Sequence, residues 1–173
     1  DFTAAVEGTP ATTKEGTNGK AIFTVKAEIG NEKYTLSAQE VVIKAKVYDG
    51  RLDSEVIDDA ETALNAVTWA DIAQITANTK EDVQAKLTEQ AQAAVNNSRV
   101  TVTVEVTAFD AAVAGSAATT HEGTNGKAVF TVKAVCGAEE YSLTGKEIAI
   151  TATPYDGKLD SEVIDEVETA LNG

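Results

Sequence analysis

With 173 residues, 14 of them basic and 28 acidic, the chain carries a formal charge of −14; a field of that sign repels phosphate and makes nucleic acid and anionic membrane surfaces poor partners. No apolar run approaches the ~20 residues that a membrane-spanning helix needs, so membrane insertion is not expected. An apolar share of 43% lies near the globular norm and excludes wholesale disorder.

The chain opens with FTAAV at 2–6, followed by a polar stretch that reads as a loop or a weakly held edge strand. Thr17-Asn18-Gly19-Lys20 contains Asn-Gly, a pair that tolerates positive φ, and predicts a tight reversal into the next strand. Ala21, Phe23, Val25, Ala27 and Ile29 then alternate with Thr24, Lys26 and Glu28, the period of a half-buried strand. Gly30-Asn31 predicts a turn, Tyr34, Leu36 and Ala38 continue the alternation, and Val41, Ile43, Ala45 and Val47 predict a further strand closed by Asp49-Gly50. Here the period changes to 3.6. Val56, Ile57, Ala60, Leu64 and Val67 form the apolar stripe of a helix, with Asp53 or Ser54 as its cap and Glu55 and Asp58 placed for the helix dipole.

In 67–107, Trp69, Ile72 and Ile75 suggest an irregular or short-strand connection anchored by the tryptophan. Thr79 followed by Asp82 resembles a capping box with Asp in place of Glu, and Val83, Leu87, Ala91, Ala94 and Val95 follow at helical spacing up to Asn96-Asn97-Ser98. Val100, Val102, Val104 and Val106 alternate with Thr101, Thr103, Glu105 and Thr107, a strand that runs on into Phe109.

From 108 the chain repeats itself. EGTNGKAIFTVKA at 15–27 returns as EGTNGKAVFTVKA at 122–134, and YDGRLDSEVID at 48–58 returns as YDGKLDSEVID at 155–165, both 107 positions further on. Segments 1–66 and 108–173 agree at about two-thirds of positions, which marks an internal duplication. Phe2 has its counterpart in Phe109, and the helical stripe returns as Val163, Ile164, Val167 and Leu171 ahead of Asn172-Gly173. Pro154 stands where the first copy has Val47 and removes a ladder donor from the end of its strand. The expected domains are a first module at 1–78, lacking an initial helix and strand, and a complete second module at 79–173, although 79–107 folding back onto the first sheet is an alternative. If the two copies share one shape for architectural reasons, Phe23 and Phe130 sit in like surroundings, and unlike surroundings count against both the shared shape and the spacer role.

With EGTNGKAVFTVKA, ITATPYDGK at 150–158 and DVQAKLTEQAQAAVNNSRVTVTVEV at 82–106 in view, the chain resembles tandem modules of large surface proteins from Gram-positive anaerobic bacteria of the gut type. The resemblance covers nearly all of 79–173 and, less fully, 1–66; its motifs are turns and strands. It implies a cell-surface, extracellular location and a spacer or adhesive role, with no catalytic residue.

The candidate chemistry is sparse. The acids Asp49, Asp53 and Glu55, echoed by Asp156, Asp160 and Glu162, are hard oxygen donors near a turn and suit Ca²⁺ by type. They lack the alternating ligands of an EF-hand loop, and Arg51 or Lys158 lies among them, so helix capping accounts for them more simply and no cofactor is expected. His121, the only histidine, replaces Lys14 in a polar loop and reads as solvated. Cys136, the only cysteine, replaces Ile29 and reads as a small buried apolar residue, with no disulfide partner. Lys26 and Lys133 fall on the polar face of their strands, which argues against an internal isopeptide crosslink. The absence of methionine and the start at Asp1 fit a processed or excised fragment.

The expected fold is α+β: in each copy a mainly antiparallel sheet of three to five strands with one or two amphipathic helices, the alternative being immunoglobulin-like β-sandwich repeats. The expected function is non-enzymatic, a structural spacer or adhesive repeat partnered by neighbouring modules. The alternative is recognition of a host protein, such as an immunoglobulin, or of a glycan.

Overall fold

The computed structural model describes residues 1–173. The chain divides into two compact units, Asp1–Val56 and Ile57–Gly173. The division falls inside a helix, upstream of the 78/79 boundary drawn from the sequence.

In the first unit, β1 (Phe2–Thr3), β2 (Gly19–Ile29) and β3 (Glu32–Ile43) form an antiparallel sheet in that order. The reversal expected at Asn18-Gly19 is not there. Gly19 opens β2 without positive φ; it is glycine because a Cβ would collide with the Thr3 carbonyl. Asn18 Oδ1 instead accepts the Ala45 N–H at 2.8 Å. The hairpin turn is at Gly30-Asn31, as expected, between Ile29 and Glu32. The two strands predicted around Tyr34 and Val41 are one strand with a bulge: the register slips opposite Phe23 and Val25, and Ala38 takes φ 55°. Ala45 and Val47 lie beyond its end.

The helix predicted next is α1 (Asp53–Asn65). Neither Asp53 nor Ser54 is its cap. Leu52 precedes the helix, and its N–H donates to Glu55 Oε2 at 2.8 Å, the carboxylate half of a capping box without the hydroxyl half.

The second unit contains β4 (Ile72–Ala73), α2 (Lys80–Val95), β5 (Thr101–Asp110), β6 (Gly126–Cys136), β7 (Glu139–Thr151) and α3 (Asp160–Asn172). Its sheet runs β4-β7-β6-β5, antiparallel except for β4 on β7. Since β5 pairs with β6, segment 79–107 belongs to this sheet. Thr79 caps α2 as its sequence indicated: its hydroxyl accepts the Asp82 N–H at 3.2 Å and donates to the Asp82 carboxylate at 2.7 Å. Asn96 ends the helix in the left-handed region.

The core follows from the alternation. Ala128, Phe130, Val132, Ala134 and Cys136 on β6, with Val102, Val104 and Val106 on β5, make one buried face. Val83, Leu87 and Ala91 of α2 are buried against the β5 side of it. Trp69 packs edge-on to Phe130, ring centroids 4.9 Å apart. Phe130, Leu143, Ile148 and Ile150 are buried as well. Ile57, Ala60 and Leu64 are buried, α3 leaves its own stripe in solvent, and the Tyr141 hydroxyl donates to Asn65 Oδ1 at 3.1 Å. The fold is therefore α+β, and the core lies between one sheet and helices, so the paired sheets of the immunoglobulin-like alternative do not form.

Hairpins β2–β3 and β6–β7 correspond position for position. Gly19 faces Ile43 as Gly126 faces Ile150, and the bulge at Phe23/Val25 recurs at Phe130/Val132. The two phenylalanines nevertheless do not share surroundings: Phe130 is fully buried and Phe23 is 43% exposed. The strand pairing is the same and the cover is not. The first unit has no helix corresponding to α2, and β1 supplies two residues where β5 supplies ten.

Candidate interaction surfaces

The first unit presents the apolar face of a sheet to solvent. Phe23 and Val25 on β2, with Leu36 and Val41 on β3, are exposed, while Val132, Leu143 and Ile148, the counterparts of the last three, are buried in the second unit. Alternation puts these side chains on one side of the hairpin, and nothing in this unit covers them. At the hairpin tip Ala27, Ile29, Lys33 and Tyr34 line an open groove of about 320 Å³. A contiguous apolar face of this kind is the usual mark of a contact surface.

The second unit presents the stripe of α3. Val163, Ile164, Val167 and Leu171 are between 45% and 81% exposed. The same positions of α1 are Val56, Ile57, Ala60 and Leu64, none more than 7% exposed. Two open grooves flank α2: one of about 430 Å³ beside β4, lined by Asp71, Ile72, Lys86 and Gln90, the other of about 510 Å³ at the helix C-terminus beside Val102. The charged groups of the first are engaged. Asp71 Oδ1 accepts the Ala149 N–H at 2.9 Å, and Lys86 pairs with Glu89 at 2.9 Å.

The six acids weighed as Ca²⁺ ligands do not converge; no group of three or more His, Cys, Asp or Glu side chains has the arrangement of a metal site. Asp53 is buried at the start of α1, where its N–H donates to the Pro10 carbonyl at 2.8 Å, and the Asp160 N–H likewise meets the Ala117 carbonyl at 2.8 Å. Glu55 accepts from Lys14 Nζ at 2.8 Å as well as from Leu52; these two hydrogen bonds, the lysine's first, lower its pKa below the usual 4.5. Glu162 accepts from the Leu159 N–H at 2.7 Å and pairs with His121 Nε2 at 3.3 Å, and both lower its pKa. Asp49 and Asp156 sit in the loops ahead of these helices.

His121 is thus not a free solvated side chain. Its Nδ1 lies 3.0 Å from the Tyr155 carbonyl and its Nε2 faces Glu162. Both partners are acceptors, so both are satisfied only by the imidazolium, and they raise its pKa above 6.5, the carbonyl more than the carboxylate. The signal was in the sequence: a basic residue 41 positions ahead of a glutamate occurs twice, as Lys14 with Glu55 and as His121 with Glu162. Lys133 points to Glu140 at 2.6 Å, on the polar side as its strand alternation requires, and Cys136 is buried. Exposure of the two apolar faces had no signal in either element alone. Only the lack of a second instance of 67–107 hinted that one hairpin has no cover.

Compared with protein families, curated proteins and solved structures, the chain matches none. No helix is long and apolar enough to cross a membrane.

Proposed function

We propose that this chain is a non-enzymatic spacer or adhesive repeat of a bacterial cell-surface protein, built from tandem copies of one module whose principal partners are its neighbouring modules. One observation carries the reading: contacts distant in sequence recur at the 107-residue offset. Gly8 N–H to Lys46 carbonyl returns as Gly115 to Thr153, Tyr48 to Lys14 as Tyr155 to His121, and Asp53 to Pro10 as Asp160 to Ala117. The Ala45 N–H to Asn18 Oδ1 returns as Ala152 to Asn125. Duplication with its long-range bonds intact favours an architectural role, because adding modules lengthens a stalk or multiplies weak contacts.

The burial of Ile57, Ala60 and Leu64, the part of α1 that belongs to the second unit, suggests the frame. One whole module runs over 53–159, from α1 through β7; 1–52 is the hairpin end of one copy and 160–173 the first helix of another. Concatemers of one to four periods test this by small-angle scattering. A maximum dimension that grows by a constant step per copy is expected, and a particle that stays compact as copies are added overturns the spacer reading.

A second reading, recognition of a host protein such as an immunoglobulin, is favoured by the exposed face around Phe23 and Val25. A glycan platform is less well served, since the single tryptophan packs on Phe130. Retention of serum proteins or array glycans by the purified chain, lost in Phe23→Asp, separates binder from spacer.

A further inference from the structure

The exposed face of β2–β3 and the exposed stripe of α3 have counterparts that are both buried, the face of β6–β7 and the stripe of α1. The Tyr141 hydroxyl on β7 ties the two together, donating to Asn65 Oδ1 at the end of α1. Since α3 repeats α1 and β2–β3 repeats β6–β7, the chain carries the two halves of that joint in unpaired form. We propose that the chain associates head to tail, α3 of one copy seating on the β2–β3 face of a second copy. This inference rests on the repeat reading and extends it to a specified partner.

The joint is defined in residues. Val163, Ile164, Val167 and Leu171 take the places of Val56, Ile57, Ala60 and Leu64 and cover Phe23 and its neighbours. The bond from Tyr141 to Asn65 is recreated as Tyr34 of one copy donating to Asn172 of the other; Tyr34 is 62% exposed in the single chain, and its hydroxyl is free to reorient toward a partner. Bond and stripe together set the direction of the helix on the sheet. The contact is heterologous, since helix and face are different surfaces, so it propagates as an open chain unless it closes into a ring. A formal charge of −14 per copy opposes association at low salt, and screening relieves that repulsion.

Two substitutions separate this arrangement from any symmetrical one. Val167→Asp disables the helix and leaves the sheet, while Phe23→Asp disables the sheet face and leaves the helix. Both positions are partly exposed in the single chain, circular dichroism checks that each variant folds, and Tyr34→Asp replaces Phe23→Asp if the first unit does not tolerate the latter. In sedimentation velocity the unmodified chain is expected to form oligomers that grow with protein and salt concentration. Each variant alone should lose at least about tenfold in association constant, and the two mixed should recover dimers and nothing larger. Self-association retained by Val167→Asp means sheet on sheet, retention by Phe23→Asp means helix on helix, and either overturns the proposal. So does an unmodified chain that stays monomeric at every concentration. That last result, with concatemers that still lengthen by constant steps, would leave the repeat reading standing and remove this inference alone.

Discussion

At position 121 a histidine takes over the role that a lysine has at 14, linking a loop to the start of a helix through a glutamate. The substitution makes the link sensitive to pH. His121 has a folded pKa raised above 6.5, so its contribution to stability is fully present below 6.5 and fades as pH rises through the folded value. Glu162, lowered from 4.5, contributes above 4.5 and loses its share as pH falls through its own folded value. The link is therefore strongest between about 4.5 and 6.5. The imidazole of His121, followed by NMR, is expected to titrate above 6.5, and His121→Lys is expected to remove the decline in melting temperature on the alkaline side. Titration at or below 6.5 would sink this account. A second residue-scale contrast is Ala38 against Gly145. Both have positive φ, 55° and 65°, and only glycine adopts it without steric cost. Gly145→Ala is expected to destabilise by about 1–2 kcal/mol. Ala38→Gly is expected to stabilise by up to about 1 kcal/mol, the gain being reduced by the extra freedom glycine gives the unfolded chain. Denaturant titrations of both variants decide it.

At the scale of the element, one hairpin occurs in two environments. β6–β7 has α2 and β5 beside it, and β2–β3 has two residues of β1 at its edge. Phe130→Ala removes a fully buried ring that contacts Trp69 and is expected to cost about 3–5 kcal/mol. Phe23→Ala at the corresponding position, already 43% exposed, is expected to cost about 1 kcal/mol in dilute solution. Equal costs at the two sites, measured by chemical denaturation at low protein concentration, would show that Phe23 is covered in the single chain. Helices α1 and α3 make the same comparison from the other side. Their stripes match almost residue for residue, and their burial is opposite: that of α1 is enclosed and that of α3 is bare.

For the whole molecule, the alternation of Val102, Val104 and Val106 with threonines and glutamate, the helical spacing of Val83, Leu87 and Ala91, and the Thr79 cap identified β5 and α2 directly, because these patterns are set by the period of the backbone. The joining of Tyr34–Ala38 and Val41–Ile43 into one bulged strand was not legible, since a bulge interrupts the alternation just as a turn does. Asn18-Gly19 misled for a related reason: glycine was needed for the closeness of Thr3, a neighbour that only the fold brings there. By itself the sequence determined that this is an acidic α+β chain in which one pattern of strands and a helix is written twice, because periodicity and identity are properties of the chain alone. Tertiary structure alone decided that α1 is buried while α3 is bare, and that Phe130 is enclosed while Phe23 faces solvent. Burial depends on what lies opposite a side chain, and identical sequences carry no record of which neighbours they will meet.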